Sequence, residues 1–155
     1  MHASIRAMSI DDYPAVHSLW VSTPGVGLNE SDTRSGTAAF LRRNAGMSAV
    51  AVADGALVGV VLCGHDGRRG YLHHLAVAAT WRKRGIAREL LAWCFRELAA
   101  QGIPKCNIFL FSDNENGAAF WEHDGWSARA DLLVLQKAVP PSGSVPRSSP
   151  REEAR

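Results

Sequence analysis

A chain of 155 residues that is 46% hydrophobic and 21% charged has the make-up of one soluble globular domain. Its formal net charge of +2 excludes the broad basic excess of a nucleic-acid binder, so any basic patch has to act locally. No apolar run approaches the ~20 residues that span a bilayer, and the opening "MHASIRAMSI" has no signal-peptide core, so a cytoplasmic protein without a membrane partner is expected.

In chain order, "SIRAM" alternates apolar and polar residues and predicts a first strand. "DDYPAVHSLW" predicts a helix, with Asp11 as N-cap, Pro14 in the first turn and Val16, Leu19 and Trp20 on one face. "VSTPGVGLNESD" is a loop by its Pro, Gly, Asn and Ser content, and Thr33 to Asn44 a second helix. "SAVAVA", the turn Asp54-Gly55 and "ALVGVVLCG" then read as a hairpin. "HDGRRG" is another turn and "YLHHLAV" a third hairpin-linked strand. From Ile86 to Ala100, Ile86, Leu90, Leu91, Cys94 and Leu98 recur at three- and four-residue spacing, which predicts an amphipathic helix ended by Gly102. "CNIFLF" reads as a buried strand, "NGAAFWEH" as a short helix and "DLLVLQK" as a last strand. Residues 139–155, rich in Pro and Ser, have too little to bury and predict a disordered tail after a domain spanning 1–138. The order β-α-α-β-β-β-α-β-α-β implies an α/β mixed sheet, antiparallel first and then closed by a right-handed β-α-β crossover.

Cys63, Cys94 and Cys106 form no C-x-x-C pair and no zinc spacing, and each sits in an apolar run. They predict buried free thiols in a reducing, cytoplasmic setting and no metal.

The stretch "TWRKRGIAREL" packs Arg82, Lys83, Arg84 and Arg88 around Gly85 where a strand hands over to a helix. The first N–H groups of a helix lack partners and its dipole is positive there, so an anion is favoured. Gly85 lets the backbone approach a bulky ligand, and small Ala87 leaves the helix start open. Such a turn suits a diphosphate, and taken alone it equally suits a solvated basic connection.

The surrounding segment "HLAVAATWRKRGIARELL" resembles the GNAT superfamily of acyl-CoA-dependent N-acetyltransferases. Arg82, Gly85 and Ala87 match the family's R/Q-x-x-G-x-G/A signature in register, and Leu75 to Val77 match the end of the strand before it. In "DNENGAAFWEHDGW", Asn114, Phe120, Glu122, Gly125 and Trp126 match a second family motif, while Gly117 and Trp121 depart from it. The resemblance covers residues 3 to 137. It implies a central, mostly antiparallel sheet whose parallel fourth and fifth strands splay apart, flanked by about four helices. It also implies acetyl-CoA as co-substrate, with its diphosphate on the amides of the turn from Arg82 through Ile86 to Arg88. The pantetheine arm would run along Leu75, Ala76 and Val77, where one N–H faces the thioester carbonyl. Family members often form homodimers.

An acceptor amine with pKa ~10.4 is neutral in roughly one part in 10³ near pH 7, a penalty of about 4–5 kcal/mol that a base can partly offset. In the family this base often projects from the strand before the turn. Simple alternation puts Tyr71, His73 and Leu75 on one face and Leu72, His74 and Ala76 on the other. His73 also matches a histidine that arylalkylamine N-acetyltransferases carry there, and an imidazole suits base duty; the alternative is a hydrogen-bonded sheet histidine. Many relatives have a tyrosine at Trp121 that protonates the leaving thiolate. An indole cannot do so, which costs about 2 kcal/mol or roughly thirtyfold in rate unless Tyr71 substitutes. Trp121 could instead wall the pantetheine pocket. Asn114 opens the last helix and can cap it or bond the pantetheine. Acceptor recognition falls to the loop "GVGLNESD" and the turn "GHDGRRG", where Glu30, Asp32 and Asp66 can attract a cationic amine. The reading is an N-acetyltransferase acting on a small or protein-borne primary amine by direct attack. The alternative, argued by Trp121, is a catalytically silent acyl-CoA sensor.

Overall fold

Asp54 and Gly55 both adopt positive φ, 51° and 76°, the backbone that a two-residue hairpin turn demands. In the computed structural model, which describes residues 2–144, they join β2 (Ala49–Ala53) to β3 (Ala56–His65). The other elements are β1 (Ser4–Ala7), α1 (Tyr13–Ser22), α2 (Arg34–Arg43), β4 (Gly70–Val77), α3 (Ile86–Ala100), β5 (Cys106–Ile108) and α4 (Glu115–His123). The strands form one sheet in the order β1-β2-β3-β4-β5, antiparallel except for the parallel pair β4 and β5 that α3 connects. This is the mixed sheet with four helices that the sequence implies.

β2 and β3 read as unbroken apolar runs because both faces of the sheet are covered. Val50, Val60 and Leu62 point toward α1, where Val16 and Trp20 are buried with them. The alternate residues Ala49, Ala51, Val61 and Cys63 point toward Leu90, Leu91, Cys94 and Leu98 of α3. Gly59 lets α3 seat its first turn against the sheet: a Cβ there would lie 3.1 Å from both Ile86 and Leu90. That contact fixes the N-terminus of α3 beside the end of β4, since Gly59 pairs with Val77.

Three expectations need correction. Asp11 does not cap α1. A single 3-10 turn, Ile10–Asp12, precedes the helix, and Asp12 accepts from the Ser9 amide and from Arg6 at 2.7–2.9 Å. β5 is three residues long rather than six, because its ladder with β4 ends at Ile108. The strand expected over "DLLVLQK" does not form. Arg129 and Asp131 join in a local fork at 2.8–2.9 Å and the Leu132 amide bonds back to Arg129, so the chain turns there. Without a ladder partner the run stays irregular, with Leu133 89% and Leu135 91% exposed. Residues 139–144 are exposed, and the rest of the expected tail lies outside the described residues. Among the described residues no helix is long and apolar enough to cross a membrane.

Candidate functional site

β4 and β5 pair only from Gly70 to Leu72, so beyond Leu72 the edge of β4 that faces β5 carries no ladder partner. The two strands therefore part in a V, as expected. The Ala78 amide bonds the Val58 carbonyl of β3 at 2.8 Å, and by alternation the polar groups of Val77 face the open side. Arg82 confirms this geometry by donating its Nε–H to the Val77 carbonyl at 3.1 Å.

The strand is not regular, and its side chains do not alternate strictly. Val60 pairs with Ala76 and Leu62 with His73, so Val61 alone opposes two residues, His74 and Leu75. This is a β-bulge, and His74 bears its strain at φ 54°. Trp20 Nε1–H takes up the His74 carbonyl at 3.1 Å. The bulge re-aims the side chains downstream. His73, His74 and Ala76 all lie on the α1/α2 side, against Phe40, Trp20 and the α1 cluster respectively. Leu75 and Val77 join Leu72 against the α3 cluster. His74, Leu75 and Ala76 thus each lie on the face opposite to the one that strict alternation assigns them. A histidine tolerates positive φ better than a branched residue does, but one sequence carries no stronger signal for the bulge.

The basic turn wraps the start of α3. Gly85, the N-cap, is left-handed at φ 81° and no side chain caps the helix. None of the amides from Lys83 to Arg88 finds an acceptor in the described chain. A Cβ on Gly85 would meet nothing within 4 Å, so glycine is required here by backbone conformation and open approach rather than by packing. Ile86 is buried and contributes only its backbone, while Ala87 is half-buried. Arg84 lies over the Trp81 ring at 4.6 Å, and Lys83 and Arg88 are exposed. Among the described residues no carboxylate pairs with any of the four cations. The result is an electropositive cradle of free donors at the end of the open strand edge.

The His73 imidazole makes no hydrogen bond within the described chain and packs edge-on against Phe40 at 5.8 Å. Burial, helped by neighbouring His74, holds its pKa below the ordinary imidazole value. Tyr71 lies on the same side and stacks on Phe109 at 6.0 Å. His74 donates Nε2–H to the carboxylate of Asp32 at 2.9 Å, and the Asn29 amide donates to the same group at 2.8 Å. Asp32 is buried, so it is committed to structure and not free to attract an amine. Asp66 is committed as well: the Arg68 and Arg69 amides both donate to it at 2.8 Å, which lowers its pKa within its own turn. Glu30 is exposed. Asn114 caps α4, accepting from the Gly117 amide at 2.9 Å. Trp121 sits edge-to-face between Phe120 and Trp126 at 5.1 and 5.0 Å, half-buried against the α3 cluster. Cys63 and Cys94 are buried, and burial pushes the Cys106 thiol up to about 12, so no thiol is poised as a nucleophile.

The Asp32 pair has a measurable consequence. Asp32→Ala leaves the His74 donor and the Asn29 amide without their acceptor, and a loss of about 2–3 kcal/mol in urea unfolding is expected. Asp32→Asn, which keeps an acceptor oxygen, should lose about half as much.

The family model described as "Acetyltransferase (GNAT) family" matches residues 13–126. The chain belongs to that family. Membership places it among the acyltransferases. An acetyltransferase of Sodalis glossinidius (strain morsitans) is 29% identical over 135 residues, which is 87% of this chain and 94% of the relative. Another, from Yersinia enterocolitica, is 37% identical over 90 residues, 58% of this chain and 63% of the relative. Among solved structures, Ard1 from Thermoplasma volcanium superposes with a TM-score of 0.74 at 17% identity, covering 84% of this GNAT chain and 86% of Ard1. PaiA N-acetyltransferase from Thermoplasma acidophilum, solved with coenzyme A, gives 0.72 at 18% identity over 83% and 92%. AAC(6')-Iy, solved with a bisubstrate analogue of CoA and acetylneamine, gives 0.70 at 19% over 90% and 100%. These three share the fold.

Proposed function

We propose that this GNAT protein moves an acetyl group from acetyl-CoA to a primary amine by direct attack in a ternary complex. The observation that carries the reading is the run of free amides from Lys83 to Arg88, set at one end of an open strand edge with His73 at the other. Bound acetyl-CoA would supply an acyl group activated as a thioester. The amides of the turn, with Lys83, Arg84 and Arg88, hold its diphosphate, and Arg82 steadies the end of β4 through Val77. The open edge of β4 at Val77, with Leu75 before it, offers N–H groups to the pantetheine and to the carbonyl oxygen as it gains charge, while the polar groups of Ala76 face β3. His73 accepts the proton that the bound ammonium must lose before its nitrogen can attack, and the second N–H proton leaves to solvent as the bond to the acyl carbon forms. As the C–S bond breaks, Tyr71 or solvent returns a proton to the sulfur. Asn114, whose carboxamide oxygen is engaged, retains its N–H donors for the pantetheine, and Trp121 serves packing. The unpaired thiols fit a cytoplasmic setting.

Calorimetric titration with acetyl-CoA, alongside thiol release on adding amines, tests the reading. Saturable binding with amine-dependent release is expected. Binding without release to any amine would make the protein an acyl-CoA sensor instead, and no binding would end the proposal.

A further inference from the structure

The surface next to His73 is aromatic, and two of the three carboxylates expected to attract an amine, Asp32 and Asp66, are engaged within the chain. Phe109 follows Ile108 of β5 and turns to the opposite side, where its ring stacks on Tyr71 with 20° between planes. Phe111, two residues on, lies against the loop between α1 and α2: a Cβ on Gly27 would come within 2.5 Å of its ring. Phe40 closes the other side over His73. Phe109 and Phe111 are nonetheless 61% and 59% exposed, a concentration of apolar ring surface that solvent does not favour. Asp32 and Asp66 are bonded within the chain, while Glu30 is exposed, as are Asp113 and Glu115 just beyond Phe111.

A purely polar amine would leave this ring surface uncovered even where Glu30, Asp113 or Glu115 attracts its charge. We infer that the acceptor is a small primary amine carried on an aromatic body, seated against Phe109 and Phe111 with its nitrogen at His73. Burying an aromatic side group against such rings contributes both area and ring-to-ring contact, and an apolar seat favours the neutral amine that must attack. The inference rests on the acetyl-transfer reading and adds the class of acceptor to it.

The test compares 2-phenylethylamine, spermidine and glucosamine as acceptors for the full chain at saturating acetyl-CoA, read as thiol release. The expected kcat/KM for 2-phenylethylamine exceeds the other two at least tenfold. Phe109→Ser should raise its KM about tenfold while leaving acetyl-CoA affinity within twofold, and Phe111→Ser should act the same way. Both side chains are exposed, so folding should not be at issue. Equal or better use of spermidine or glucosamine overturns the inference, as does an unchanged KM in both variants. Acetyl-CoA binding with transfer to none of the three also overturns it, while sparing the donor assignment. Absence of acetyl-CoA binding defeats the donor assignment and this inference together.

Discussion

Gly85→Glu is expected to lower affinity for coenzyme A at least about 100-fold, equivalent to about 2.7 kcal/mol, while the chain stays folded. The two effects separate because of what surrounds the residue. Nothing lies within 4 Å of a Cβ built there, so the new side chain displaces no packed atom. A non-glycine residue at φ 81° costs roughly 1–2 kcal/mol in backbone strain. A carboxylate at a helix N-terminus recovers a fraction of that through the dipole. The same carboxylate takes up the amides of Lys83 to Arg88 and repels a diphosphate, so the site would be occupied by the protein's own anion. Gly85→Ala is the control, since it carries the strain without the charge; its affinity loss should stay below about tenfold. Calorimetry on both variants, with thermal unfolding in parallel, decides the matter. Unchanged affinity in Gly85→Glu would show that the phosphate groups bind elsewhere.

The cradle was legible in the sequence because its ingredients are local. Four cations and a glycine between a strand and an apolar heptad-like pattern need no tertiary information, and α3 runs from Ile86 to Ala100 as its periodicity predicts. The hairpin at Asp54-Gly55 was legible for the same reason. What alternation alone misassigned depends on partners far along the chain. The bulge at His74 is visible only when β4 is laid against β3, where Val61 opposes two residues, and it is held by Trp20, more than fifty positions upstream. Asp32 looked like a free loop acid, but its burial against His74 brings together residues 42 apart. Likewise the apolar character of "DLLVLQK" indicates a strand, yet a strand exists only where a ladder receives it, and β5 ends three residues after it begins. The ring pair Phe109 and Phe111 was open to reading, since alternation within "CNIFLF" puts both on one side. Its significance depended on Tyr71 being opposite.

His73→Ala should cut kcat about 100-fold at pH 7 with acetyl-CoA affinity unchanged, a typical loss for a general base. The pH dependence distinguishes this from simple damage to the sheet. His73 is a base only when neutral, and its pKa lies below the usual 6.5 because burial disfavours the charged imidazolium. In the native enzyme kcat/KM should therefore rise with pH through a midpoint below 6.5 and then level off, since the imidazole can take the proton from an amine that arrives charged. Without the imidazole, only amine already deprotonated by solvent can react. The rate should then climb tenfold per pH unit toward the amine's own pKa near 10, so the deficit shrinks from about 100-fold at pH 7 to a few-fold by about pH 9. A structural defect would lower the whole curve by one factor and leave its shape intact. If the variant keeps the native acid limb, the proton is going to another group, and the edge contact with Phe40 would then reflect packing of His73 rather than aim at the acceptor.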